Sequence, residues 1–108
     1  MNIGETQSGE LVVLALSGRL DGAAAPALEA QIARLGAGSA RRVVFDCSGL
    51  DYISSAGLRV FLATARLMQS AGGHCGFAAL SPQVRDVFRL SGFLELFEIH
   101  PTVADACA

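Results

Sequence analysis

The chain has no lysine: its eight strongly basic side chains, at positions 19, 34, 41, 42, 59, 66, 85 and 89, are all arginine. A Schiff-base former, a P-loop phosphate ligand and a kinase-type catalytic lysine are therefore excluded. Positive charge is also thinly spread. The formal net charge is -2, and apart from the Arg41-Arg42 pair the arginines are scattered, so the basic footprint of a nucleic-acid binder is missing. Cysteine is sparse and odd in number. Cys47, Cys75 and Cys107 lie far apart with only His74 and His100 as company, which gives neither a disulfide framework nor a zinc spacing such as CxxC. Three buried, reduced, inert thiols are expected, and no metal or cofactor is implied. Long hydrophobic runs are lacking too. Residues 67–84 carry no formal charge, but Gln69, Ser70, Gly72, Gly73, His74, Gly76, Ser81 and Pro82 break the stretch too often for a membrane span. The opening Met1-Asn2-Ile3-Gly4-Glu5 has neither the basic nor the apolar region of a signal peptide, so a cytoplasmic location is expected.

What is present is apolar bulk: 52% of 108 residues are hydrophobic and 17% charged, which suits one domain over residues 1–108 with a full core. Leu11 to Leu16 is an unbroken apolar run, as in a strand covered on both faces, and Val43-Val44-Phe45 is a shorter one. Between them Leu28, Ile32 and Leu35 recur at helical spacing, with Pro26 near the start and Gly36 and Gly38 at the end. The unit repeats. A helix from the serines at 54 and 55 to about Arg66 ends by Gly72-Gly73, and a strand from Cys75 to Leu80 follows. Ser81-Pro82 then supplies an N-cap and an N1 proline for a third helix that turns Val84, Val87 and Phe88 inward. Leu94, Leu96, Phe97 and Ile99 suggest a last strand, and His100-Pro101 opens a short terminal helix. With an N-terminal piece around Ile3–Thr6 reading as an antiparallel edge, the chain is predicted to be an α/β domain. Its mixed, mostly parallel sheet is packed with about four helices. The spacings bury Leu14, Leu16, Val44, Phe45, Leu58, Leu62 and Phe88.

In such sheets sites form beyond the carboxyl ends of strands, here at Ser17–Gly22, Asp46–Ser55 and Ser81-Pro82, whose loops should lie near one another. The segment Asp51-Tyr52-Ile53-Ser54-Ser55-Ala56-Gly57-Leu58-Arg59 places two serines at a helix N-terminus, where either can cap the helix or present a hydroxyl beside unpaired N–H groups. One stripe of this helix is Leu58, Phe61, Leu62, Ala65 and Met68. The other, Arg59, Ala63, Arg66 and Ser70, is cationic and otherwise small. Other chemistries fit poorly. A nucleophile elbow needs Gly two residues before Ser, where Ile53 and Tyr52 stand, and GxxxxGK[ST] and GxGxxG are both missing. His74 and His100 read as ordinary polar placements rather than catalytic bases.

Gly18-Arg19-Leu20-Asp21, Asp46-Cys47-Ser48-Gly49-Leu50-Asp51-Tyr52-Ile53-Ser54-Ser55-Ala56-Gly57-Leu58-Arg59, Ser81-Pro82-Gln83-Val84 and Leu90-Ser91-Gly92-Phe93 occur in an order that resembles the STAS domain of anti-sigma factor antagonists. The resemblance spans nearly the whole chain. It implies a non-enzymatic switch that, unphosphorylated, binds an anti-sigma factor with serine kinase activity and so frees a sigma factor. Phosphorylated, it lets go until a phosphatase resets it. It also implies Ser55 as the acceptor, two residues before Gly57-Leu58. Ser54, standing where many members carry aspartate, is the alternative acceptor. The partner surface it suggests comprises Asp21, Ser54, Ser55, Ala56, Gly57, Arg59, Ala63 and Arg66. Asp21 and Asp46 read equally as turn residues bonding their own backbone. Arg59 is either a plain surface arginine or a partial screen for a phosphate at Ser55. Two other uses of such a domain stay open: an accessory subunit of a membrane transport complex, and a nucleotide- or ligand-sensing module.

Overall fold

Strand parity organises the core. In the computed structural model, which describes residues 1–36, 38 and 40–108, Val12, Leu14 and Leu16 are fully buried while Leu11 and Val13 are only half covered and Ala15 is exposed. These residues belong to β2 (Leu11–Leu20), which pairs antiparallel with the edge strand β1 (Asn2–Ser8) through a two-residue connection. Gly9, at φ 61°, supplies the left-handed backbone that this tight turn requires. The chain continues through α1 (Ala25–Gly36), β3 (Arg42–Ile53), α2 (Ser55–Ser70), β4 (His74–Ala78), α3 (Pro82–Leu90), β5 (Glu98–His100) and α4 (Val103–Cys107). The five strands stand in the order β1-β2-β3-β4-β5, and every pairing after the first is parallel. The mixed sheet with an antiparallel N-terminal edge is thus the architecture the sequence predicts.

The two faces of the sheet are covered unequally. On one, Val12, Leu14, Leu16, Val43, Phe45, Cys47, Cys75 and Phe77 pack with Leu28 and Ile32 of α1, Leu58, Phe61 and Met68 of α2, and Val84 and Phe88 of α3. All six phenylalanines join this core in one connected group. Phe45 stacks on Phe77 at 5.2 Å, Phe61 lies 4.6 Å from Phe45 and 4.8 Å from Phe77, Phe88 meets Phe61 and Phe77 edge-on, and Phe97 links Phe77 to Phe93. On the opposite face, among the described residues, lies α4, whose Ala106 packs with Val44 and Ala78. Arg42 ties this short helix down by donating to the carbonyls of Ala106, Cys107 and Ala108. So the apolar run Leu11–Leu16 is fully covered on one face and partly on the other, where Leu11 and Val13 pack against the small cluster of Val44, Ala78 and Ala106 and Ala15 is exposed.

Four further expectations are corrected. β3 continues past Phe45 to Ile53, and β2 past Leu16 to Leu20, so Ser17–Leu20 and Asp46–Ile53 are paired strand rather than loop. The pairing survives two irregularities. Ala15 faces Asp46 but Ser17 faces Gly49, and Gly18 faces Leu50 but Arg19 faces Tyr52, so β3 carries one extra residue at each step. The last strand is Glu98–His100, while Leu94 and Leu96 lie in turns beyond α3 that seat Phe97 in the core. Leu62 is only half buried. α2 also packs against α1, so its covered set is Gly57, Leu58, Val60, Phe61, Thr64 and Met68. Cys107 is half buried, unlike Cys47 and Cys75.

Phe61→Ala should lower stability by about 3–5 kcal/mol, since it removes a ring touching three others. Leu62→Ala should cost less than about 2 kcal/mol, because its side chain is already partly exposed. Urea unfolding midpoints measure both, and equal losses at the two sites would contradict this packing.

Candidate functional site

The two serines divide their work. Ser54 is the N-cap of α2: its backbone is extended, at φ -94° and ψ 174°, and its Oγ accepts from the Gly57 N–H at 3.3 Å. Its carbonyl accepts the first intrahelical bond, from Leu58 N–H at 2.9 Å. Ser55 is the first helical residue and is exposed. Among the described residues its hydroxyl makes no hydrogen bond. The Ser55 and Ala56 amides precede that first intrahelical bond and stand at the positive end of the helix dipole. An anion carried on Ser55 would stand at this positive end, while the cap bond is made by Ser54.

The height of this turn is set by Gly57. A Cβ there would lie 2.7 Å from Leu20 Cγ, 2.8 Å from Ile53 Cγ1 and 2.9 Å from the Leu20 carbonyl oxygen, so only glycine lets the helix come down onto the ends of β2 and β3. The Ser54 N–H completes the contact by donating to the Leu20 carbonyl at 2.9 Å. Gly57 is therefore buried, and Ala56 is half buried against the core. Asp21 follows Leu20 directly. Its carboxylate accepts from the Ala23 and Ala24 amides at 3.1 and 3.0 Å, which turns the chain into α1 while leaving Asp21 partly exposed. Asp46 accepts from the Ser48 amide in the same manner, at the first irregularity of β3.

Arg59, Ala63 and Arg66 are exposed along the outer side of α2, as their spacing predicts. Ser55 and Arg59 line a hollow of about 320 Å³ with Leu58, Ser91 and Phe93. A second hollow, of about 390 Å³, is lined by Met1, Arg19, Asp21, Ala23 and Ala24, so the Asp21 and Ser55 sites are neighbours joined through Leu20 and Ser54 rather than walls of one cleft. The third junction expected nearby, Ser81-Pro82, caps α3 through the Val84 amide and lines neither hollow. Two features escaped sequence reading. Ser91 and Phe93 reach the Ser55 hollow from a turn with no periodic signal. Arg19 lies over the Tyr52 ring at 4.1 Å because the second irregularity in β3 brings these residues opposite each other.

Among the described residues the buried thiols are held out of nucleophilic form. Burial, reinforced by the Asp46 carboxylate, pushes the Cys47 thiol far up, and burial with the nearby Glu98 carboxylate pushes Cys75 up to about 12. Both stay protonated at neutral pH. Among the described residues no group of three His, Cys, Asp or Glu side chains could hold a metal ion, and no helix is long and apolar enough to cross a membrane.

The division between the serines is measurable. Ser54→Ala should lower stability by about 1 kcal/mol through loss of the cap, while Ser55→Ala should stay within about 0.5 kcal/mol of wild type. Equal destabilisation in urea titrations would show that both hydroxyls support the helix.

Residues 3–106 match the family model of the STAS domain. The chain is 43% identical over 89 residues to a Bordetella bronchiseptica protein named as an anti-sigma factor antagonist, BtrV, covering 82% of this chain and 77% of that one. Among solved structures it resembles an anti-sigma factor antagonist from Mycobacterium paratuberculosis, with 30% identity, a TM-score of 0.88 and coverage of 98% and 90% of the two chains. It also resembles the anti-sigma factor antagonist SpoIIAA in its unphosphorylated form, with 25% identity, a TM-score of 0.87 and coverage of 98% and 93%. The order of motifs along the sequence, the five-stranded sheet and the glycine-seated second helix therefore have one explanation: this chain belongs to the STAS domain family.

Proposed function

We propose that the protein is an anti-sigma factor antagonist controlled by phosphorylation of Ser55. Unmodified, it binds an anti-sigma factor that is also a serine kinase and so releases a sigma factor. Modified, it dissociates, and a phosphatase restores it. It catalyses no reaction of its own, and the reading implies a cytoplasmic protein. The observation that carries the proposal is the unspent hydroxyl of Ser55, exposed one residue after a serine that has already capped the helix. The names of the relatives support it. Physically the site suits a switch, because phosphorylation adds roughly -1.5 to -2 charges at a helix N-terminus, which holds an anion without unfolding the domain. The partner-facing surface in this reading runs from Asp21 across Ser54, Ser55 and Ala56 to Arg59, Ala63 and Arg66. Gly57 serves it from beneath by fixing the height of the turn.

Incubation with the cognate kinase and ATP should add one phosphate, mapped to Ser55 by fragmentation. Ser55→Ala should fold, stay unmodified and hold the kinase persistently, whereas Ser55→Asp should weaken binding about tenfold or more, near 1.4 kcal/mol. Ser54→Ala should still be modified. Phosphate on Ser54 would overturn the residue assignment, and no ATP-dependent mass change with any co-purifying kinase would return the transport-accessory reading.

The exposed rank Arg59, Ala63, Arg66 borders the partner, its small central residue allowing close approach between two cations. Arg66→Glu should slow association, and do so more at low salt, while leaving the urea midpoint unchanged. Association rates equal to wild type across a salt series would remove this face from the interface.

A further inference from the structure

The hollow beside Ser55 contains its own cation. Ser55 and Arg59 are four residues apart on α2, which puts their Cβ atoms about 5–6 Å apart on one side of the helix. Both line the same hollow of about 320 Å³, with Leu58, Ser91 and Phe93, and Arg59 is the one charged residue of that set. None of the ion pairs among the described residues involves Arg59. Its guanidinium is therefore uncommitted while Ser55 is unmodified.

We infer that Arg59 is the internal counter-ion of a phosphate on Ser55, closing over the hollow between the start of α2 and the turn after α3 when that serine is modified and standing open to a partner when it is not. The inference rests on Ser55 being the acceptor. An anion placed four residues before a cation is the favoured order along a helix, because each charge then also sits well with the dipole. The planar guanidinium offers two parallel N–H donors to phosphate oxygens, and Ser91 adds a hydroxyl on the facing wall. The regulatory consequence is twofold. Modification adds an anion to the surface and at the same time withdraws a cation from the rank Arg59, Ala63, Arg66. A partner that reads both would lose two contacts to one chemical event.

The test uses the full chain with phosphoserine incorporated at position 55 during synthesis, so that no kinase is needed, and follows the second phosphate ionisation by phosphorus NMR. Arg59→Gln should raise that midpoint by about 0.2–0.4 of a pH unit, the worth of one exposed ion pair at this spacing. Arg59→Lys should recover part of the shift, Arg66→Gln none, and the difference should shrink in high salt. Identical midpoints in the wild type and Arg59→Gln would overturn the inference. So would an equal shift in Arg66→Gln, which would reveal only a general field. Because the phosphate is installed without a kinase, failure of any kinase to modify Ser55 leaves this measurement standing, and an unchanged midpoint leaves Ser55 an acceptor.

Discussion

The contact on which the site depends is the meeting of Gly57 with Leu20 and Ile53. Two strands end there beneath the first turn of a helix, with less space than one methyl group needs. Because the approach is so close, the Ser54 amide reaches the Leu20 carbonyl, the Ser54 hydroxyl reaches back to Gly57, and the next residue is the first free to face outward. One turn later Phe61 enters the aromatic group between Phe45 and Phe77, which fixes the rotation of the helix as Gly57 fixes its height. The exposed stripe of Arg59, Ala63 and Arg66 is what remains when both constraints are met. Surface chemistry is here a by-product of the core.

Much of this was legible in the sequence because the period of the apolar residues reports directly on burial. Leu28 and Ile32, Leu58 and Phe61, Val84 and Phe88 gave their helices, and the run from Leu11 gave its strand. Legibility failed where backbone pairing acted without the usual side-chain signal. Ser48-Gly49 and Asp51 carry turn chemistry, yet they lie in a strand, because β2 continues to offer partners past each extra residue. Leu94 and Leu96 look like strand residues, yet the pairing falls on Glu98–His100, since the preceding turns are needed to seat Phe97. Leu62 misled for another reason: a helix packed against both a sheet and a neighbouring helix buries Val60 and Thr64 at the expense of one edge of its expected stripe. The division of labour between Ser54 and Ser55 was beyond sequence reading altogether, because either could cap and only the placement of the helix start decides which one does.

The inner face of the molecule is chemically quiet. Its two buried thiols are held protonated by their surroundings, and the one buried polar side chain among the described residues, Thr64, spends its hydroxyl on the Val60 carbonyl one turn back. In the proposed reading, a phosphate on Ser55 would add its charge at the surface, outside this core.

The paired irregularities in β3 have a consequence for what the chain can tolerate. Each extra residue inverts which side of the sheet the following side chains occupy, and two in succession restore the original parity, so that Val43 and Ile53 both point into the same core. The intervening Leu50 reaches that core only because it lies in the inverted stretch. Removal of the extra residue at either step would regularise the ladder there and leave Ile53 opposite Leu20, whereas removal of one residue from the regular stretch Arg42–Asp46 would set the buried Val43 and Phe45 out of phase with β2. In genetic terms the spare length of β3 is confined to those two steps, and its regular ladder is as much a specification of the site as the serines that follow it.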